Sequence, residues 1–142
     1  MPEIWRTGFA AAAAVAVTLV GAGCGGAGPI ASDCSPSHMR VYHHGPHVRG
    51  YVEIDCTATP RTYHATFTLQ WTSTFRVAHP TWVDEDSFTT SVIPGPQGEQ
   101  YLVTAECQPG RWRAEIKVRG VSSTGQAGIG TVHSPTKRIR KC

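Results

Sequence analysis

Apolar and polar residues alternate with a period of two along most of this chain. The alternation is sharpest from Tyr101 to Arg119, YLVTAECQPGRWRAEIKVR. In its first half Tyr101, Val103, Ala105 and Cys107 share one face, and Leu102, Thr104 and Glu106 share the other. In its second half Trp112, Ala114, Ile116 and Val118 face one way, and Arg111, Arg113, Glu115, Lys117 and Arg119 face the other. This periodicity predicts strands with one buried and one wet face. The Pro109-Gly110 pair between them predicts the turn of a hairpin.

The same period recurs upstream. Val48, Gly50, Val52, Ile54 and Cys56 form an inward row, with Arg49, Tyr51, Glu53 and Asp55 outward. Tyr63, Ala65, Phe67, Leu69 and Trp71 form the strongest row, rich in the aromatic and β-branched residues that strands favour, with Phe75 and Val77 continuing its face. Ser87 to Ile93 reads as a further strand, with Phe88, Thr90 and Val92 on one side. A short strand near Ile129 and a last one from Lys137 to Cys142 complete the set. Ser32 to Pro46 is polar and shows no period, so it reads as an irregular leader, and no helical period of normal length is found after it.

Seven or so short strands separated by turn residues predict an all-β fold, a small two-sheet β-sandwich. Cys56, Trp71 and Cys107 stand in the order of an immunoglobulin domain: a strand cysteine, a core tryptophan on the next strand, then a partner cysteine. In that general form the domain resembles the immunoglobulin family. The 142 residues leave room for one domain. Charged residues make up 16% and the formal charge is +3, too small a basic footprint to predict nucleic-acid binding.

The N-terminal residues, MPEIWRTGFAAAAAVAVTLVGAGC, change the picture most. One basic residue, Arg6, precedes an Ala/Val-rich run from Gly8 to Val20, the length of a signal-peptide core and short for a membrane span. Small residues lead into Cys24. The segment resembles the lipobox of bacterial lipoproteins. By that resemblance residues 1–23 are a cleaved signal peptide and Cys24 is the lipidated first residue of the mature chain. The lipid then anchors the protein to the extracytoplasmic face of the cell membrane. Cleavage after Ala22, giving a secreted domain, and retention as an uncleaved anchor are the alternatives. The division expected is a signal over 1–23, a lipidated cysteine, glycine-rich tether and histidine-containing leader over 24–47, and the sandwich over 48–142.

Five cysteines fit this reading. With Cys24 carrying lipid, Cys34, Cys56, Cys107 and Cys142 remain for two disulfides in an oxidising compartment. Cys56 and Cys107 both fall on apolar strand faces, so Cys56–Cys107 with Cys34–Cys142 is the favoured pairing. Cys34–Cys56 with Cys107–Cys142 is its rival.

Few residues announce chemistry. His38, His43, His44 and His47 lie within ten positions beside Met39, ligand types suited to copper or zinc in a loop that wraps an ion. Asp84-Glu85-Asp86 offers oxygen ligands for calcium or, more simply, a solvated turn. No nucleophile elbow, convergent carboxylate pair or phosphate-cradling glycine loop is present, so neither an enzyme nor a bound cofactor is expected. The outward row Arg111, Arg113, Lys117 and Arg119 is a candidate surface for an anionic envelope polymer or an acidic protein face. The function expected is a binding or interaction module of the cell envelope, with copper or zinc binding through His38–His47 as the alternative.

Overall fold

A computed structural model describes residues 33–142; the expected signal segment, the expected lipidation site Cys24 and the glycine-rich stretch after it lie outside the described residues. Each alternating segment is a strand, and the described chain folds entirely as β-structure: β1 (Cys34–His44), β2 (His47–Cys56), β3 (Thr62–Thr72), β4 (Val83–Thr90), β5 (Glu99–Glu106), β6 (Gly110–Val121), β7 (Ala127–His133) and β8 (Lys137–Ile139). One sheet has the order β1-β2-β5. The other has β4-β3-β6-β7, with β8 pairing the opposite end of β6. All the pairings are antiparallel.

The inward rows meet between the sheets. Val48, Val52 and Ile54 from β2 and Val103 from β5 pack toward Phe67 and Leu69 from β3 and Trp112, Ala114, Ile116 and Val118 from β6, all essentially solvent-free. Burial of these side chains is the main drive for the two layers to close. Gly50 lets them come close: a Cβ there would stand 2.9 Å from a Val103 methyl and 3.4 Å from Leu69 of the facing sheet. The connectivity differs from a constant-type immunoglobulin domain in the placement of β4 and in the added strand β8. That arrangement pairs the fourth strand with the fifth, whereas β4 here pairs with β3.

Several sequence expectations are corrected. Tyr101–Arg119 is not a hairpin: β5 belongs to one sheet and β6 to the other, so Cys107–Pro109 arches over the core. A strand pair on one sheet and two strands facing across a core show the same alternation, which is why the pattern does not separate them. Gly110 makes the arch possible, with φ 153° and a backbone packed against the Thr72 carbonyl and the Trp71 indole nitrogen where a Cβ would clash. The fully buried tryptophan is Trp112 on β6, while Trp71 is only partly buried.

The leader is also structured. β1 pairs along the whole of β2, from Cys34 opposite Cys56 to His44 opposite His47, so the sandwich begins near residue 34 and not at 48. A register shift between Pro36 and His38 breaks its period and hides it in the sequence. The acidic triplet lies within β4, where a second shift leaves Glu85 unpaired between Asp84 and Asp86. Phe75 and Val77 do not extend β3, which ends at Thr72.

The disulfides follow the rival pairing, Cys34–Cys56 and Cys107–Cys142. The favoured Cys56–Cys107 bridge is excluded by strand direction. β2 and β5 run antiparallel with Ile54 opposite Glu99 and His47 opposite Glu106, which puts the two cysteines at opposite ends of the ladder, roughly 30 Å apart at strand rise. Cys34–Cys56 instead joins directly opposed residues, and Cys107–Cys142 ties the arch to the segment after β8.

Candidate functional site

The four leader histidines do not converge. The β1–β2 register sends His38 and His44 to the outer face of their sheet, His38 opposite Glu53 and His44 opposite His47, while His43 opposes the inward Val48 at the sheet end. Among the described residues no group of three or more His, Cys, Asp or Glu side chains stands close enough to hold a metal ion. Asp84 and Asp86 are engaged in separate hydrogen bonds, Asp84 to the Gln70 amide and Asp86 to the Thr104 backbone.

The basic row on β6 keeps its predicted face but is tied into the fold. Arg111 donates from Nε to the Thr74 carbonyl at 2.6 Å and from Nη2 to the Val77 carbonyl at 2.7 Å, holding the β3–β4 loop against the sheet. Arg113 donates to the Gln70 side-chain oxygen at 2.8 Å, Gln70 donates to Asp84 at 2.8 Å, and Trp82 lies over the Arg113 guanidinium at 4.3 Å. Partial burial pulls the Arg113 guanidinium below its ordinary value, against the raising influence of Glu115 and Asp84. Lys117 pairs with Glu115 at 3.1 Å, and His133 approaches the other Glu115 oxygen at 2.7 Å. Of the row, only Arg119 makes no side-chain hydrogen bond or ion pair among the described residues. These arginines fasten a loop and a strand edge, and the interrupted stripe read from the sequence becomes a set of internal contacts.

The other outer face, on β1-β2-β5, is different. Register brings Arg40 opposite Tyr51, and Tyr51 opposite Leu102; beside them Tyr42 faces Arg49, which faces Thr104. The exposed Arg40 guanidinium lies over two rings, 5.3 Å from the Tyr42 centroid and 5.4 Å from Tyr51. His38 meets the Tyr51 ring edge-on, with centroids 6.3 Å apart. The Tyr51 hydroxyl donates to Glu53, which also accepts from the Gln100 amide, and that hydrogen bond first, with some desolvation, holds the phenol above its ordinary value. Leu102 is 51% exposed beside this cluster. Arg49 keeps its Nε buried without a hydrogen-bond partner. The residues making the face are thus Arg40, Tyr42, Arg49, Tyr51 and Leu102.

Sequence reading missed this surface because half of it sits on β1. The Arg40-x-Tyr42 spacing, set against the outward Arg49-x-Tyr51 of the next strand, was the available signal. Tyrosine and arginine presented together on a flat face are the side chains enriched at protein interfaces, where they cover area at low entropic cost and supply polar anchors. No protein-family model, curated protein or solved structure matches the chain.

Proposed function

We propose that this is an exported binding module of the cell envelope, held at the membrane by lipid on Cys24, and that the outer face of β1-β2-β5 is its recognition surface. The observation that carries the reading is the contrast between the two outer faces. On the β6 side the cations are mostly spent on internal partners. On the β1 side Arg40 lies between two tyrosine rings, with an exposed leucine next to Tyr51. A rim of charge around an aromatic-arginine centre suits a protein partner. The β-sandwich supplies a rigid platform for it.

Two measurements test the proposal. Replacing Tyr42 with the photo-crosslinker p-benzoylphenylalanine in the producing cells is expected to give one covalent protein adduct, while the same residue at Thr66 on the opposite face gives none. Adducts at neither position, or equally at both, overturn the assignment of the face. Cys24→Ala is expected to move the protein from the membrane to the soluble fraction. Unchanged retention overturns the lipid anchor, and a wild-type chain already soluble points to cleavage after Ala22.

A further inference from the structure

We propose that Phe75, Arg76, Arg138 and Arg140 form a second binding site, for a phosphate-bearing ligand. These four residues line a concavity of about 360 Å³, within the range of small-ligand sites. Three of the four are arginines and none is acidic. Among the described residues both ion pairs involve Glu115, so none of these guanidiniums is neutralised by a neighbouring carboxylate.

The fold brings them together from two directions. β8 pairs with the start of β6, placing Arg138 opposite Arg111, and Arg140 follows two residues on, just before the Cys107–Cys142 bridge that fixes this segment. Arg111 spends its own guanidinium on the Thr74 and Val77 carbonyls. Phe75 and Arg76 lie between those two anchored residues, so the loop is clamped with Arg76 lining the same concavity as Arg138 and Arg140. A disulfide on one side and a double hydrogen bond on the other hold three like charges in one concavity.

Like charges gathered in this way disfavour the empty site. An anion reverses the sign of that interaction. Guanidinium forks match oxygen pairs on a tetrahedral anion, and a phosphate group offers more acceptor oxygens and charge than a carboxylate for three of them to share. The half-buried Phe75 gives an apolar wall for whatever carries the phosphate. The shared chemistry is a phosphate group, free or on a lipid headgroup.

The test is thermal melting of the protein purified from cells that make it, at constant ionic strength with chloride as reference. The probes are inorganic phosphate and, separately, dihexanoyl phosphatidylglycerol below its micelle concentration. A saturable rise in melting temperature is expected. In the R138Q/R140Q protein the half-saturating concentration should increase at least tenfold, and the unliganded melting temperature should hold or rise as repulsion is relieved. Arg61→Gln should respond as wild type. A response to inorganic phosphate supports the site with the free anion sufficient. A response to the lipid alone supports it with the headgroup as source. No rise with either probe, or a rise that persists undiminished in R138Q/R140Q, overturns the proposal.

Discussion

The Asp86 carboxylate reaches from β4 to accept the Thr104 backbone N–H of β5, 2.9 Å away. β4 and β5 are edge strands of different sheets, so a side chain closes the gap that no ladder closes. The register explains its reach: Asp86 lies opposite the inward Leu69, beside the shift that leaves Glu85 unpaired. The contact also occupies a donor that an open strand edge would offer to another chain.

Asp86→Ala is expected to cost about 1–2 kcal/mol, the loss of a charged acceptor from a half-buried N–H. Asp86→Asn, which keeps an acceptor, should cost less. Urea unfolding midpoints measure both, and light scattering should show the alanine variant self-associating sooner.

Tyr63 and Tyr101 bring their hydroxyls within 3.0 Å of each other from opposite sheets, buried in the core. Desolvation is the first cause that raises both phenols above the ordinary value of 10.0. The fold therefore favours the neutral form. Its contribution is whole below about pH 10 and is lost as pH rises toward the raised folded values. Alkaline unfolding followed by tyrosinate absorbance should show ionisation of these two rings only as the fold opens. Each single Tyr→Phe change should cost about 1 kcal/mol, and the double change less than the sum, because the second removes a partner already lost.

Glu115 is 8% exposed between Lys117 and His133. Burial pushes its carboxyl up, but hydrogen bonds from Lys117 and His133, with their charges, outweigh it and leave the group below its ordinary value. A carboxyl depressed in the fold contributes stability that is present above its unfolded value, about 4.3, and is lost as pH falls through the folded value. Glu115→Gln should flatten the acid limb of the stability profile below about pH 5 and leave the alkaline limb unchanged. An acid limb as steep as wild type would contradict this role.

The bridges close spans of 22 and 35 residues. Each is expected to contribute about 3–4 kcal/mol by restricting the unfolded chain. Cys142→Ser should lower the denaturant midpoint accordingly. A non-reducing peptide map should recover Cys34 linked to Cys56 and Cys107 linked to Cys142. A Cys56–Cys107 peptide would contradict the ladder described here.

Gly110→Ala places a Cβ into the Thr72 carbonyl and the Trp71 ring at a positive φ. Loss of about 2–3 kcal/mol is expected from clash and strain together. The unfolding midpoint measures it, and Trp71 fluorescence should report a loosened arch.

The faces of β2, β3, β5 and β6 were legible because each strand buries one side, and period two survives any arrangement that keeps it so. Val48 to Ile54, Tyr63 to Leu69 and Trp112 to Val118 all stand where alternation placed them. Partner choice was not legible: Tyr101–Cys107 and Trp112–Val118 look alike whether they pair or face each other. Both the missed arch and the missed cysteine pairing come from this, since strand direction decides which ends meet. β1 escaped because Pro36 and the shift at His38 interrupt its rhythm, and with it went the Arg40–Tyr42 half of the proposed surface. The arginines of β6 were legible as outward and not as engaged, because Thr74 and Val77 reach Arg111 through a loop whose path no periodicity describes.

The pairing of the bridges bears on how the domain matures. Taking Cys24 as lipidated, the remaining cysteines join in the order they occur, first with second and third with fourth. A chain threaded through a membrane from its N-terminus presents them in that order. Cys34 meets Cys56 within the β1–β2 hairpin before Cys107 has emerged. If the domain is exported as proposed, oxidation in order of arrival would yield the native bonds directly, with an oxidant for its thiols and no isomerase to reshuffle them.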